Sequence, residues 1–170
     1  MVAAVSSCGK KSDDKIKNTE EKKEFGWKDD ISVSDIPDFP VKGFIKGRDV
    51  TFPYINFENW RGSGDNVINF SVSKPGQNCG FIENFEGFTL MNKGSGFKQG
   101  DWKKSRFSDD PSTYRASFKT SGVSSSESWN CALNIESISD KVVKGRVVIF
   151  FKDESKSWLA GKFEAVICNN

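Results

Sequence analysis

The chain has 170 residues, of which 36% are apolar, 28% charged and 13% aromatic, with four cysteines and no histidine. Without imidazole there is no Ser-His-Asp or Cys-His nucleophile pair, no histidine-ligated zinc and no near-neutral acid/base switch. A net charge of +2 is too small to argue for nucleic acid, no run of 18 apolar residues offers a transmembrane helix, and the length suits one domain.

The chain opens Met1-Val2-Ala3-Ala4-Val5-Ser6-Ser7-Cys8-Gly9. Val5-Ser6-Ser7-Cys8 resembles the lipobox of bacterial lipoproteins, an aliphatic residue and two small residues before a cysteine. The small residues let the backbone enter a peptidase cleft, and the thiol of Cys8 carries the diacylglycerol. A secretory signal has a basic start and an apolar stretch of about 7–15 residues, whereas only Met1 to Val5 precede the motif here. The expectation is a chain trimmed at its start, or a true start lying upstream. Gly9, where an aspartate favours inner-membrane retention in enteric lipoproteins, leans towards the outer membrane. The resemblance therefore implies a lipid-anchored protein of the bacterial cell envelope.

Residues 9–38 read as a charged, disordered tether that holds a domain off the membrane. Lys10 to Glu24 mixes both signs of charge, and Ile16, Phe25, Trp27, Ile31 and Val33 keep no period. Such a composition buries too little apolar surface to offset chain entropy.

From Phe39 to the C-terminus the pattern is all-β. Short runs rich in Val, Ile, Phe and Thr are broken by Gly, Pro, Asn and Asp. Expected strands are Val41 to Lys46, Asp49 to Phe57, Val67 to Ser73, Phe88 to Met91, Thr113 to Lys119, Trp129 to Ile138, Val142 to Phe151 and Trp158 to Cys168. The last three alternate cleanly and read as an antiparallel meander whose register is set by its apolar face. Gly43, Gly145 and Gly161 lie inside expected strands, where glycine marks a bulge, a bend or a close backbone approach. The predicted fold is an antiparallel β-sandwich or flattened β-barrel of about eight or nine strands over residues 39–170.

If Cys8 carries lipid, then Cys79, Cys131 and Cys168 leave one disulfide and one thiol, with three pairings possible. The meander disfavours Cys131 with Cys168. They lie near opposite ends of strands two apart, roughly eight residues or about 27 Å from each other, too far for a disulfide. The stretch Val41 to Cys168 resembles a loose group of uncharacterised bacterial lipoproteins with a small β-domain. The likeness rests on Val41-Lys42-Gly43-Phe44-Ile45-Lys46-Gly47, Ser71-Val72-Ser73-Lys74-Pro75 before Cys79, Val143-Lys144-Gly145, and Leu159-Ala160-Gly161-Lys162-Phe163-Glu164-Ala165-Val166-Ile167-Cys168. It implies a Cys79–Cys168 bond with Cys131 as a buried thiol, and it carries no activity.

No catalytic set emerges. Gly94 to Gly100 lacks the spacing of a phosphate loop. Asp109-Asp110 is too few acids for calcium, which takes 6–8 oxygens. Glu83 and Glu86 have no fixed separation for paired-carboxylate work. Cys131 has no predicted basic neighbour to lower its pKa. Phe97 to Phe107 interleaves aromatic and basic residues and reads as a loop. With Trp60 and Arg61 of the Gly-rich turn at 59–66, its Trp102, Lys103, Lys104 and Arg106 form the candidate binding loop, for a protein or an anionic envelope polymer. No cofactor and no metal are implied. The leading expectation is a non-catalytic, lipid-anchored binding or structural β-domain. The alternatives are a lipid or small-ligand carrier whose barrel is lined by some of the 15 phenylalanines, an inhibitor of an enzyme like some periplasmic lysozyme inhibitors, and a histidine-free enzyme.

Overall fold

A computed structural model describes residues 26–60, 62–83, 85–92, 97–104, 114–119 and 128–169. The fold is all-β. Among the described residues ten strands run in chain order as β1 Lys42–Ile45, β2 Arg48–Thr51, β3 Tyr54–Trp60, β4 Asp65–Ser71, β5 Gly87–Asn92, β6 Gly100–Lys104, β7 Tyr114–Lys119, β8 Trp129–Ile138, β9 Val142–Phe151 and β10 Trp158–Asn169, after one 3₁₀ turn at Val33–Asp35. They form one curled sheet, a half-barrel, in the order β6-β8-β9-β10-β3-β4-β5-β7, with the β1-β2 hairpin attached to the start of β10.

The expected C-terminal meander is present as β8-β9-β10, with Cys131 opposite Ile149 and Ile149 opposite Leu159. A register shift after Ile135 marks a bulge at Glu136. Two strand boundaries differ from expectation. The run from Asp49 to Phe57 is broken between β2 and β3, where Pro53 has no N–H to give a ladder. The basic-aromatic stretch after Phe97 is strand β6 over Gly100–Lys104, antiparallel to β8, rather than a loop. Two pairings with β10 depart from the antiparallel pattern: its last residues run parallel to β3, Val166 opposite Asn56, and its Lys162 makes an isolated parallel bridge to Pro40.

Alternation sends Ile55 and Phe57, Ile68 and Phe70, Phe88 and Leu90, Cys131, Leu133 and Ile135, Val143, Val147, Ile149 and Phe151, and Leu159 and Phe163 into the concave side, where they form one core. Phenylalanines join the two halves of the curl. The Phe70 ring meets those of Phe52, Phe88 and Phe163 at 5.9, 6.2 and 5.5 Å between centroids. The curl depends on close backbone approaches at the glycines in the strands. A Cβ at Gly145 would stand 2.4 Å from the Asn134 carbonyl oxygen, and one at Gly161, where φ is +130°, would stand 2.5 Å from that of Phe39. That second approach lets Lys162 N–H donate to the Phe39 carbonyl and Val41 N–H to the Lys162 carbonyl, at 2.7 and 2.8 Å.

The tether expectation is corrected over residues 26–38, while 9–25 lie outside the described residues. Ile31 is fully buried, and with Ile36 it packs on Ala132, Val148, Phe150 and Ala160 of the convex face, flanked by Trp27, Val33 and Trp158. Polar ties fix the strap. Asn130 donates its amide to the Lys28 carbonyl, and Lys28 pairs with Asp35, Lys103 with Asp30 and Lys162 with Asp38. These apolar residues follow no period because they pack as an irregular strap across three strands. Their one regular element is the 3₁₀ turn at Val33–Asp35.

Candidate functional site

The strap covers the convex side of β8, β9 and β10. The convex side of β3, β4 and β5 is built differently. Along β3 the inward residues Ile55 and Phe57 alternate with Tyr54, Asn56, Glu58 and Trp60, so the outward row is polar and aromatic. Antiparallel register sets Asn69 of β4 beside Asn56 and Thr89 of β5 beside Asn69. The result is a ladder across three strands. Thr89 Oγ1 donates to Asn69 Oδ1 at 2.9 Å. Asn69 and Asn56 each donate an amide N–H to Glu58 Oε1, at 3.1 and 2.7 Å. Trp60 Nε1–H donates to Glu58 Oε2 at 2.7 Å. Charge-assisted bonds to a carboxylate are the stronger kind, so Glu58 orders its neighbours.

The segment between β4 and β5 stands over this ladder. A disulfide joins Cys79 to Cys168, with 5.4 Å between Cα atoms and a sequence separation of 89. The Cys79 N–H donates to the Tyr54 hydroxyl at 2.9 Å, and Gly80 N–H closes a turn onto the Gln77 carbonyl. Cys79 holds a φ of +62°, which a non-glycine residue adopts at some cost. Beyond it, Phe81, Ile82 and Phe85 wall a cleft of about 420 Å³ floored by Asn56, Glu58, Asn69 and Thr89. Phe81 is 89% exposed.

The residues of the candidate binding loop are not gathered here. Trp60, 40% exposed, adjoins the cleft through Glu58. Arg61 and Arg106 lie outside the described residues, as do Gly94 to Gly96, Asp109 and Asp110. Trp102 packs edge-on against Phe97 at 5.2 Å, and Phe97 itself is buried. Lys103 pairs with Asp30 of the strap. Lys104 donates to the Trp129 carbonyl at 3.2 Å with its ammonium 4.1 Å over the Trp129 ring. These three residues hold an edge strand and the strap in place. Glu86 lines a separate cleft of about 380 Å³ beside the β1-β2 hairpin, with Lys46, Arg48 and Asp49. Among the described residues no group of three or more His, Cys, Asp or Glu converges on a metal position.

Among the described residues, the concave side holds Ile68, Phe70, Phe88, Leu133 and Ile149 almost wholly buried. Where Leu90, Phe97, Trp102, Cys131 and Leu133 meet, the void is about 10 Å³, near the size of one water. Cys131 is a free, buried thiol. It does have a basic neighbour, because β6-β8 register sets Lys104 opposite it. Burial nevertheless dominates and pushes the thiol up to about 12, with the Lys104 ammonium pulling weakly the other way. The same burial lowers the pKa of Lys104. An unfolded thiol ionises near pH 8.5. This site therefore contributes stability that is whole below that pH and falls as pH rises towards 12. In a Cys8→Ser chain at pH 8, iodoacetamide should alkylate Cys131 more than about a hundredfold slower when native than in urea without reductant, because the thiolate is the nucleophile. Similar rates would mean that this end of the core opens readily.

Compared with family models, with curated proteins and with solved structures, the chain matches none.

Proposed function

We propose that this chain is a lipid-anchored protein of the bacterial cell envelope, of the kind its lipobox-like start resembles, whose β-domain acts by binding rather than catalysis. Cys8 is the lipidated residue, the outer membrane is the membrane, and an envelope component is the partner. The observation that carries the binding reading is the Glu58-centred cleft. It is a preorganised polar floor beside an exposed aromatic on a covalently fastened segment, on the half of the convex face that the strap leaves uncovered. The burial of Ile68, Phe70, Phe88, Leu133 and Ile149 among the described residues of the concave side supports contact on the outer surface over carriage of a lipid inside.

The experiment has two arms. The chain is expressed behind a complete signal peptide and labelled with a fatty acid. Label is expected on the wild type and none on Cys8→Ser, with a precursor accumulating under globomycin. Separately, the unlipidated Cys8→Ser chain is mixed with outer-membrane fragments and peptidoglycan sacculi. Saturable retention that Phe81→Ala removes is expected. Globomycin-insensitive processing would overturn the anchor, and Phe81-independent retention or none would overturn the cleft as the contact.

A further inference from the structure

We propose that the cleft between the Phe81 wall and the Glu58 ladder is a binding site for a neutral saccharide, engaging a pyranose ring with vicinal hydroxyls. This deepens the binding reading above and rests on it.

The two sides of the cleft ask for different chemistry. Its floor consists of planar polar groups, the amides of Asn56 and Asn69 and the carboxylate of Glu58, with the Thr89 hydroxyl at the end of the row. Its wall carries Phe81, whose ring is almost wholly in solvent. A purely apolar ligand would strip water from the floor without replacing those hydrogen bonds, which costs free energy for each amide and far more for the carboxylate. A purely polar ligand would gain nothing from the ring. A pyranose presents both surfaces at once, a C–H face that lies on an aromatic ring and an edge of hydroxyls.

The hydrogen-bonding arithmetic fits the same ligand. Each amide gives one of its two N–H groups to Glu58, and a carboxylate offers about four acceptor positions, three of which accept from Asn56, Asn69 and Trp60. A spare amide N–H beside a spare carboxylate position is a donor next to an acceptor. One hydroxyl of a vicinal pair can accept from the amide while the other donates to Glu58. Among the described residues that line the cleft, Glu58 is the one carboxylate and none is a lysine or arginine. An acidic sugar would meet its charge without compensation, so the site selects for neutral rings.

The cleft is also built in advance. The disulfide, the Cys79 N–H to Tyr54 bond and the Gly80 turn hold the base of the wall, and the floor side chains are already bonded to one another. A ligand therefore pays little to order the site. A volume of about 420 Å³ lies within the range of small-molecule clefts and suits a mono- or disaccharide unit, including one within a longer glycan.

The test is calorimetric titration of the Cys8→Ser full chain with cellobiose, maltose and N,N′-diacetylchitobiose, with glucuronic acid against glucose as the charge comparison. Saturable binding of at least one neutral disaccharide is expected, weakened at least tenfold by Phe81→Ala and by Glu58→Gln, with glucuronic acid binding more weakly than glucose. Phe81 is exposed, so its variant should keep the wild-type melting temperature. Glu58→Gln keeps the shape and removes the charge, which should also narrow the gap between glucose and glucuronic acid. No saturable binding by any of the three disaccharides, or binding untouched by both variants, overturns the proposal. If the sugars fail while Phe81→Ala still removes envelope retention, the saccharide assignment falls and the binding-module reading stands. If retention never depended on Phe81, both fall.

Discussion

Replacing Phe70 by alanine is expected to destabilise the domain by about 3–5 kcal/mol, the cost typical of a fully buried aromatic truncated to a methyl. The position is chosen for where its contacts lead. Phe70 belongs to β4, yet its ring meets Phe52 ahead of β3, Phe88 on β5 and Phe163 on β10. It therefore bridges the two halves of the curled sheet, and the void left behind could close only if those halves moved towards each other. The expected shift in melting temperature is about 10 °C or more. Urea unfolding should show a lower midpoint with an unchanged slope. Phe70→Leu, which retains much of the volume, should cost far less. A loss below about 1 kcal/mol for the alanine variant would mean that the halves of the sheet are not mutually supported through this ring.

Most of the fold was legible because alternation is a local signal. In β8, β9 and β10 every second residue faces the core, and the expected register follows from that pattern. Strand β6 escaped notice because Gly100–Lys104 has a single large apolar residue, Trp102, and its charges suit an edge that faces solvent. The strap escaped because Trp27, Ile31, Val33 and Ile36 are spaced for a particular surface, not for a period, and that surface exists only once the sheet has assembled. The polar alternation of Tyr54, Asn56, Glu58 and Trp60 was present in the sequence, but as the solvent side of an ordinary strand. Its partners Asn69 and Thr89 come from separate strands, 11 residues from Glu58 and 20 from Asn69 respectively. Only register brings them into one row. The tryptophan and the basic residues, by contrast, drew attention by type alone, and Trp102, Lys103 and Lys104 prove to be occupied within the fold. The Cys79–Cys168 bond illustrates the same limit. Meander geometry separates Cys131 from Cys168 but cannot choose between the remaining partners for Cys79, since the segment that carries it has no periodicity to place it.

Removing that bond should have the second large effect, and one that reaches the cleft. In the double variant Cys79→Ser, Cys168→Ser the unfolded chain regains the freedom that an 89-residue span had lost, worth about 4–5 kcal/mol in the chain-entropy account. The folded state loses less, because the end of β10 keeps its ladders to β9 and β3. The segment carrying Phe81 is in a different position. Without the bond its base is held by the Cys79 N–H to Tyr54 contact and the Gly80 turn, and a single neutral hydrogen bond contributes about 1 kcal/mol. That is too little to keep a short irregular segment in one place over a polar floor. Two readouts should therefore separate. Urea unfolding should show a lower midpoint and a steeper slope, since the uncrosslinked denatured chain exposes more surface. Binding to the envelope fraction should weaken even at temperatures where the variant remains folded, as the wall no longer stands ready and its ordering must be supplied by the ligand. A stability loss with binding intact would assign the bond to the sheet alone and leave the wall of the cleft to the turn and Tyr54. Binding lost without a measurable change in unfolding would assign it to the cleft, with the span between the cysteines already restrained in the denatured chain.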